Sequence, residues 1–350
     1  MKQFDYSVYI KQKWDNEIIG LLTRIYYYKG LVNNFINSEN KTINKLIKKS
    51  FTNSVESSNK IEGISTSKSR LKNIIDNIEI DLNTNEQEIL GYKNLLEIIL
   101  NDQFAITLTK NNILNIHKEM LKLTNFFHLS KFKTTQNHIQ KITKIDENTY
   151  TKEIIFTPLE PFQTPEAIEQ ICDEFNKYNN SIDPLLLIPI FIHDFLCIHP
   201  FNDGNGRVSR LLTTLLLLQN DIDIARYISI DEMIYKNLKE YYDSLALSSQ
   251  NWIDNNEDKL FFIKYFLKII LLSYEQLNNL SNINNESSAM KIVINAVKTK
   301  LGSFTKQNIV DLCVSISVSS VEQCLSTLVK ENKIATKNSG KNTIYYALDI

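Results

Sequence analysis

Two runs of apolar residues, 184–198 (PLLLIPIFIHDFLCI) and 208–218 (VSRLLTTLLLL), stand on either side of one polar glycine turn. Each is long enough for roughly three to four helical turns. Neither carries a polar face wide enough to meet water, so both helices must be buried on nearly every side. Asp183-Pro184 supplies a start for the first, an N-cap followed by proline in the first turn. A chain that has to bury two whole helices places them at the centre of a helical assembly. The polar turn between them is then a site built into that core.

The rest of the composition agrees with a helical body. Only 8 glycines and 6 prolines occur in 350 residues, so helix breakers are scarce. That length allows two or three units, each with its own core. The net charge of -1 argues against a mainly electrostatic nucleic-acid binder. Cys172, Cys197, Cys313 and Cys324 are scattered among apolar neighbours without metal-knuckle or disulfide spacing. They read as buried reduced thiols, and the expected location is the cytoplasm. The first residues, MKQFDYSVYIKQKWD, lack the apolar segment of a signal peptide. The stretches 185–192 and 260–272 are too short, or broken by Lys264 and Lys268, to span a membrane.

Along the chain, residues 15–80 read as helices separated by polar turns, and 86–100 and 109–122 have helical apolar spacing. At 131–157 β-branched residues around a polar turn predict an irregular hairpin. Pro158, Pro161 and Pro165 end it and lead into a helix from about Glu166. Residues 278–288 (NNLSNINNESS) read as a linker. Helices at 289–300, 305–313 and 317–331, then two β-like runs in 333–348 around Ser339-Gly340, form the pattern of a winged helix-turn-helix. The expected division is an N-terminal helical region at 1–90, a core at 91–277, the linker, and a winged domain at 289–350.

The turn itself, in HPFNDGNGRVSR (199–210), concentrates chemistry. Gly204 and Gly206 flank Asn205, so the backbone can turn tightly and approach a ligand. A helix follows at once, and its free amides favour an anion. Arg207 and Arg210, three apart on one helix face, fit a di- or triphosphate better than a lone carboxylate. Asp203 is a hard oxygen ligand beside those phosphates, suited to Mg²⁺. His199 can take a proton near neutrality. No Lys-Ser/Thr follows the glycines as in a phosphate-binding P-loop, and a helix rather than a strand precedes them, unlike a dinucleotide fingerprint. His193 and His199 are too far apart for a zinc HExxH site.

The stretch resembles the Fic signature, HPFx[DE]GNGRxxR, and fills every position of it. With the hairpin and buried helices, the likeness covers roughly residues 90–275. It implies an all-α, mainly helical Fic fold with a small β-hairpin flap, followed here by the winged domain. It also implies a protein adenylyltransferase that moves AMP from ATP onto a Ser, Thr or Tyr hydroxyl of a target protein, itself included. In that scheme His199 is the base and Asp203 holds Mg²⁺ between the α- and β-phosphates. The Gly204–Gly206 amides and Asn205 form the anion hole, Arg207 meets the β-phosphate and Arg210 the γ-phosphate. The hairpin at about 137–157 resembles the flap that pins the target by strand-like pairing. Residues 232–242 (EMIYKNLKEYY) resemble the adenine-side helix, with Asn237 and Tyr241 as nucleotide contacts or, for Tyr241, core.

Ser58-Asn59-Lys60-Ile61-Glu62-Gly63 taken alone reads as an exposed helix end. In a Fic-like chain it matches the inhibitory motif [ST]xxxE[GN], in the class with an N-terminal inhibitory helix. Glu62 would pair with Arg210, take the place of the γ-phosphate and leave ATP in a non-productive pose. The same glutamate could orient water for AMP removal, so a de-AMPylating or bifunctional enzyme is an alternative. Phosphoryl or phosphocholine transfer is disfavoured by the intact glycine turn. A nucleotide-sensing transcription regulator is disfavoured by the retained base and acid. In the C-terminal unit, Ser319, Ser320, Glu322, Gln323 and Ser326 are poor DNA readers, while Lys333, Lys337, Lys341 and Asn342 could touch phosphate. A protein or homodimer contact is the preferred reading there over DNA.

Overall fold

The computed structural model describes residues 2–37, 41–144, 150–284, 289–300, 302–337 and 343–348. In chain order its first helices are α1 (Asn16–Ile36), α2 (Lys41–Ile61), α3 (Lys68–Ile75), α4 (Thr84–Asp102) and α5 (Lys110–Leu121). A hairpin of β1 (Ile139–Lys144) and β2 (Tyr150–Phe156) follows. Then come α6 (Thr164–Tyr178), α7 (Pro184–Ile198), α8 (Asn205–Gln219), α9 (Ile224–Tyr227), α10 (Ile230–Lys236), α11 (Leu238–Ser248) and α12 (Leu260–Asn284). The last elements are α13 (Ala289–Lys298), β3 (Ser303–Thr305), α14 (Lys306–Leu312), α15 (Val318–Lys330), β4 (Ile334–Lys337) and β5 (Ile344–Ala347).

The chain gathers into two compact units, Met1–Arg24 with Ser50–Leu271, and Ile25–Lys49 with Leu272–Ile350. This differs from the sequential division at residues 90 and 278–288, because α1, α2 and α12 each give one end to each unit. The polar stretch read as a linker is helical through Asn284. Leu277, Leu280 and Ser281 keep a buried stripe there that the asparagines mask in composition. Residues 285–288 lie outside the described residues.

In the first unit α7 is the centre. Every residue of it after Pro184 is buried, as is α8 from Arg207 to Leu218. The Asp183 carboxylate accepts from Leu185 N–H as the expected N-cap. α7 packs against α6 and α8, and α4 lies on α5 and α8. α4 is opened by a capping box, Asn83 with Glu86. It approaches α5 so closely at Gly91 that a Cβ there would lie 2.0 Å from the Met120 carbonyl oxygen. The acid of α7, Asp194, is fully buried but satisfied by Lys259 Nζ (2.6 Å), Trp252 Nε1 (2.7 Å) and the Tyr6 hydroxyl (3.0 Å). The predicted hairpin is present as antiparallel β1 and β2, with a register irregularity at Ile139/Gln140. Its turn, 145–149, lies outside the described residues.

The second unit holds α13–α15 and a sheet of order β3-β5-β4, antiparallel throughout. Its core includes Val293, Val297, Phe304, Leu325 and Leu328. β3 was not read from the sequence, being only three residues long. Ser339, Gly340, Lys341 and Asn342, the expected wing, lie outside the described residues. No described helix is long and apolar enough to cross a membrane. All four cysteines are free and buried.

Candidate active site

The polar turn is held from within. α7 ends at Ile198, and His199 adopts a left-handed conformation (φ 51°, ψ 63°) while its N–H still bonds Phe195 O. Gly204 caps α8 at φ 83°, a region that favours glycine. α8 therefore begins at Asn205, three residues earlier than the apolar pattern indicates. The amides of Asn205, Gly206 and Arg207 form its first turn, without intrahelical acceptors. The Asn205 side chain closes the loop: Oδ1 accepts from Phe201 N–H (2.9 Å) and Nδ2 donates to Phe201 O (2.7 Å). The side chain is thus committed to the loop, which differs from the expected anion contact, and of Asn205 only the backbone N–H is without an intrahelical acceptor.

His199 Nδ1 lies 3.3 Å from Leu196 O, which makes Nδ1 the protonated nitrogen and leaves the Nε2 lone pair free. Burial, aided by nearby Lys133 and opposed by Glu62 and Asp203, brings its pKa down to about 4. Beneath the loop His117 stacks on Phe201 at 3.7 Å, and its Nε2 lies 2.9 Å from Asp203 O. Burial takes that imidazole also to about 4.

The two arginines do not share an environment. Arg207 is fully buried; its Nη1 sits 2.6 Å from Glu88 Oε2, an ion pair not aligned as a hydrogen bond, and its Nη2 lies 3.5 Å from Asp203 Oδ2. Both are buried, but α8 is packed on every side, so a common stripe does not mean common partners: Arg207 meets Glu88 while Arg210 meets Glu62 and Asp231. The Asp203 side chain is 72% exposed. Among the described residues no three His, Cys, Asp or Glu side chains form a metal cage. An exposed single carboxylate beside free amides fits a Mg²⁺ shared with bound phosphates, and not a cation held by protein alone.

Arg210 is held by Ser58, whose Oγ accepts from Nε (2.7 Å) and whose carbonyl accepts from Nη2 (2.8 Å). Glu62 Oε1 accepts from Nη2 at 2.8 Å, and Asp231 Oδ1 lies 3.7 Å from Nε. Burial would lower this guanidinium, but Glu62, Tyr241 and Asp231 hold it above its ordinary value. Burial raises the Asp231 carboxyl, against the pull of Arg210. Glu62 gets there because α2 stops on it. Gly63 at φ 77° follows, with Ile64 N–H bonding Asn59 O (2.9 Å) and Gly63 N–H bonding Lys60 O (3.0 Å), a Schellman closure that favours glycine. The carboxylate also lies on the turn, since a Cβ on Gly206 would be 2.1 Å from Glu62 Oε1. Ser50, Ser54, Ser58 and Glu62 recur every four residues. Ser50 Oγ donates to Ala225 O (3.1 Å) and Ser54 Oγ to Ser229 Oγ (2.8 Å) along the same stripe.

The stretch 232–242 is not one helix: Asn237 caps α10 and separates it from α11, its Nδ2 donating to Met233 O at 2.8 Å. Tyr241 is buried among Tyr242, Phe262 and Tyr265. Beside it and Arg210 is a cavity of about 20 Å³, room for one water and not for a base.

Glu88, His117, Lys133, Asn137 and Asp231 were not singled out in the sequence. Glu88 and His117 leave a trace, a polar residue inside an apolar helical stripe. The others have no local signal.

The Fic/DOC family matches residues 107–217. A Fido domain-containing protein of Dictyostelium discoideum is 31% identical over 112 residues, 30% of this chain and 74% of that protein. A protein adenylyltransferase, fic-1 of Caenorhabditis elegans, is 28% identical over 111 residues, 31% of this chain but only 19% of that protein's length. In structure, a Fic family protein from Desulfovibrio desulfuricans G20 superposes with TM-score 0.60 at 17% identity, covering 96% of this chain and 97% of the other. At that identity the likeness speaks for the fold.

Proposed function

The chain belongs to the Fic/DOC family, and from that premise we propose that it is a protein adenylyltransferase held at rest by its own Glu62. The observation that carries this reading is the place of the Glu62 carboxylate. The protein puts an anion of its own on Arg210 and against Gly206, at the start of α8. A site that holds one anion there is built to hold another, the terminal phosphate of a nucleotide.

The reaction follows from the groups around that point. A target hydroxyl loses its proton to His199 Nε2 as its oxygen bonds the α-phosphorus, and the bond from α-phosphorus to the bridging oxygen breaks. AMP is then joined to the target and pyrophosphate leaves. His199 is unprotonated at neutral pH and fixed in the tautomer this requires. The first-turn amides of α8 meet the phosphates, and Arg210 meets the γ-phosphate once Glu62 has left. Arg207, neutralised by Glu88, braces Asp203 from behind. Mg²⁺ on Asp203 would supply charge neutralisation at the phosphates. ATP is the expected nucleotide, with Asn237 and Tyr241 on the adenine side after rearrangement. The antiparallel β1–β2 hairpin leaves strand edges on which an extended target segment can pair.

Free, buried thiols suit a reducing cytoplasm. We assign the second unit to contact with a protein or a second copy. Its third helix presents Glu322, paired with Lys306 at 2.5 Å, and Ser320, bonded to Ser317. Such a surface is poor for reading DNA. Gel shifts that weaken steeply with salt would reverse that assignment.

The decisive experiment is intact mass spectrometry of Glu62→Gly protein incubated with ATP and Mg²⁺. A gain of one AMP that disappears when His199→Ala is added is expected. No gain under any condition, with or without candidate targets, rejects nucleotidyl transfer.

A further inference from the structure

Four successive carbonyls of the turn, from Ile198 to Phe201, accept hydrogen bonds from a single short segment. Lys133 Nζ donates to Ile198 O (3.0 Å) and Lys133 N–H to Pro200 O (2.8 Å). Asn137 Nδ2 donates to both His199 O (3.3 Å) and Phe201 O (3.0 Å). The two are tied together, since Lys133 Nζ also donates to Asn137 Oδ1 at 2.9 Å. Everything the backbone of His199-Pro200-Phe201 offers on that side is taken by residues 133 and 137. β1 begins two residues later, at Ile139.

Lys133 is unusual in its own right. It is buried, and its ammonium meets an amide oxygen and a carbonyl, with no carboxylate at ion-pair distance among the described residues. Burial brings its pKa down to about 8, against the attraction of Glu160 beyond ion-pair distance. A buried cation without a contacting carboxylate is expensive. A cap on the last carbonyls of a helix is worth about 1 kcal/mol, and a neutral amide could provide the hydrogen bonds. Helix capping alone therefore does not account for a lysine. The adjacent His199 does, because its left-handed backbone is a conformation that a histidine leaves unless its neighbours hold it.

We infer that Lys133 and Asn137 are positioning residues for the base, a strap that fixes His199 with Nε2 directed to the reaction and joins it to the first strand of the flap. The assignment rests on the adenylyl-transfer reading for its chemistry but not for its geometry. The charged groups around His199 are Lys133, Glu62 and Asp203. Removing Lys133 takes away the positive one.

The test uses full-length protein with ¹⁵N-labelled histidine, with the His199 ring assigned by His199→Ala. At neutral pH the wild-type ring should show one protonated and one lone-pair nitrogen, a fixed tautomer. In Lys133→Gln and in Asn137→Ala the two shifts should average, while Lys133→Arg should keep them apart. In the Glu62→Gly background the first two variants should lower kcat at least about tenfold with the KM for ATP unchanged. A fixed tautomer in both variants, or a retained kcat, overturns the inference. If Lys133→Gln fails to fold, Asn137→Ala carries the test. If Glu62→Gly transfers nothing, adenylyl transfer fails, and the ring shifts still decide the strap.

Discussion

Replacing Glu62 should release the enzyme by about two orders of magnitude, and the size follows from one contact. At the 2.8 Å between Glu62 Oε1 and Arg210 Nη2, full charges with an effective dielectric near 20 attract by about 6 kcal/mol. That overstates the effect, because the Glu62 side chain is 31% exposed and screened by water. A charge-assisted hydrogen bond of this kind is worth about 3 kcal/mol at most. Each 1.4 kcal/mol is roughly tenfold, so Glu62→Gly should transfer AMP about a hundredfold faster than the parent chain. Glu62→Gln keeps the shape and the acceptor oxygen but not the charge, and should fall between them. The assay is the initial rate of labelling from α-labelled ATP at saturating Mg²⁺, with His199→Ala subtracted. Equal rates for parent and Glu62→Gly would refute the brake. A Gln variant as slow as the parent would refute the electrostatic origin, leaving shape alone as the cause.

Gly91→Ala should destabilise the fold by about 1–3 kcal/mol, since its Cβ meets backbone oxygen that cannot swing away; thermal unfolding beside Gly20→Ala, which meets nothing within 4 Å, checks it. Asn205→Ala should cost about 1–3 kcal/mol, as it orphans the buried Phe201 N–H, while Phe201 O keeps the bond from Asn137. Urea denaturation gives the value, and a loss below half a kilocalorie would show that the clasp is dispensable. The fold should weaken in mild acid. Burial depresses His117 and His199 to about 4 and His193 to about 3, so from about pH 6.5 down to 4 the unfolded chain binds protons that the folded chain refuses. Stability then falls with pH by up to about 1.4 kcal/mol per unit for each histidine. A urea midpoint equal at pH 7 and pH 5 contradicts this.

The turn was legible because its chemistry is contiguous: base, acid, glycines and arginines occupy twelve successive positions, 199–210, and their order alone limits what they can do. Ser58 and Glu62 were legible for a similar reason, being one helical turn apart in a recognisable motif. What sequence could not give was how those groups are restrained. Asn205 looked like an anion donor because nothing local reveals that Phe201 folds back on it. Arg207 and Arg210 looked equivalent because helical spacing reports which stripe a residue lies on, not which acid waits opposite. Glu88, Asp231 and Lys133 reach the turn through the fold, from distant positions. Polar composition hides the helix at 278–284, where Leu280 and Ser281 continue the buried stripe of Leu277, and at 232–242 one asparagine ends a helix that composition would continue.

Among residues 50–61 of α2 the buried side chains are Ser50, Ser54, Ser57, Ser58 and Asn59, with Val55 the only buried apolar one. Over this stretch α2 thus lies mainly on hydroxyls, an amide and the Glu62–Arg210 ion pair, its other buried apolar residues, Ile43 and Leu46, belonging to its first turns. Under the proposed brake, lifting residues 50–62 alone would wet little hydrocarbon, so the heat capacity should change little. The balance between resting and released enzyme would then follow a nearly straight van 't Hoff line. A brake seated on leucines would instead grip most firmly at one temperature and slacken on either side of it. A brake of the kind proposed for Glu62 would drift with temperature in one direction only.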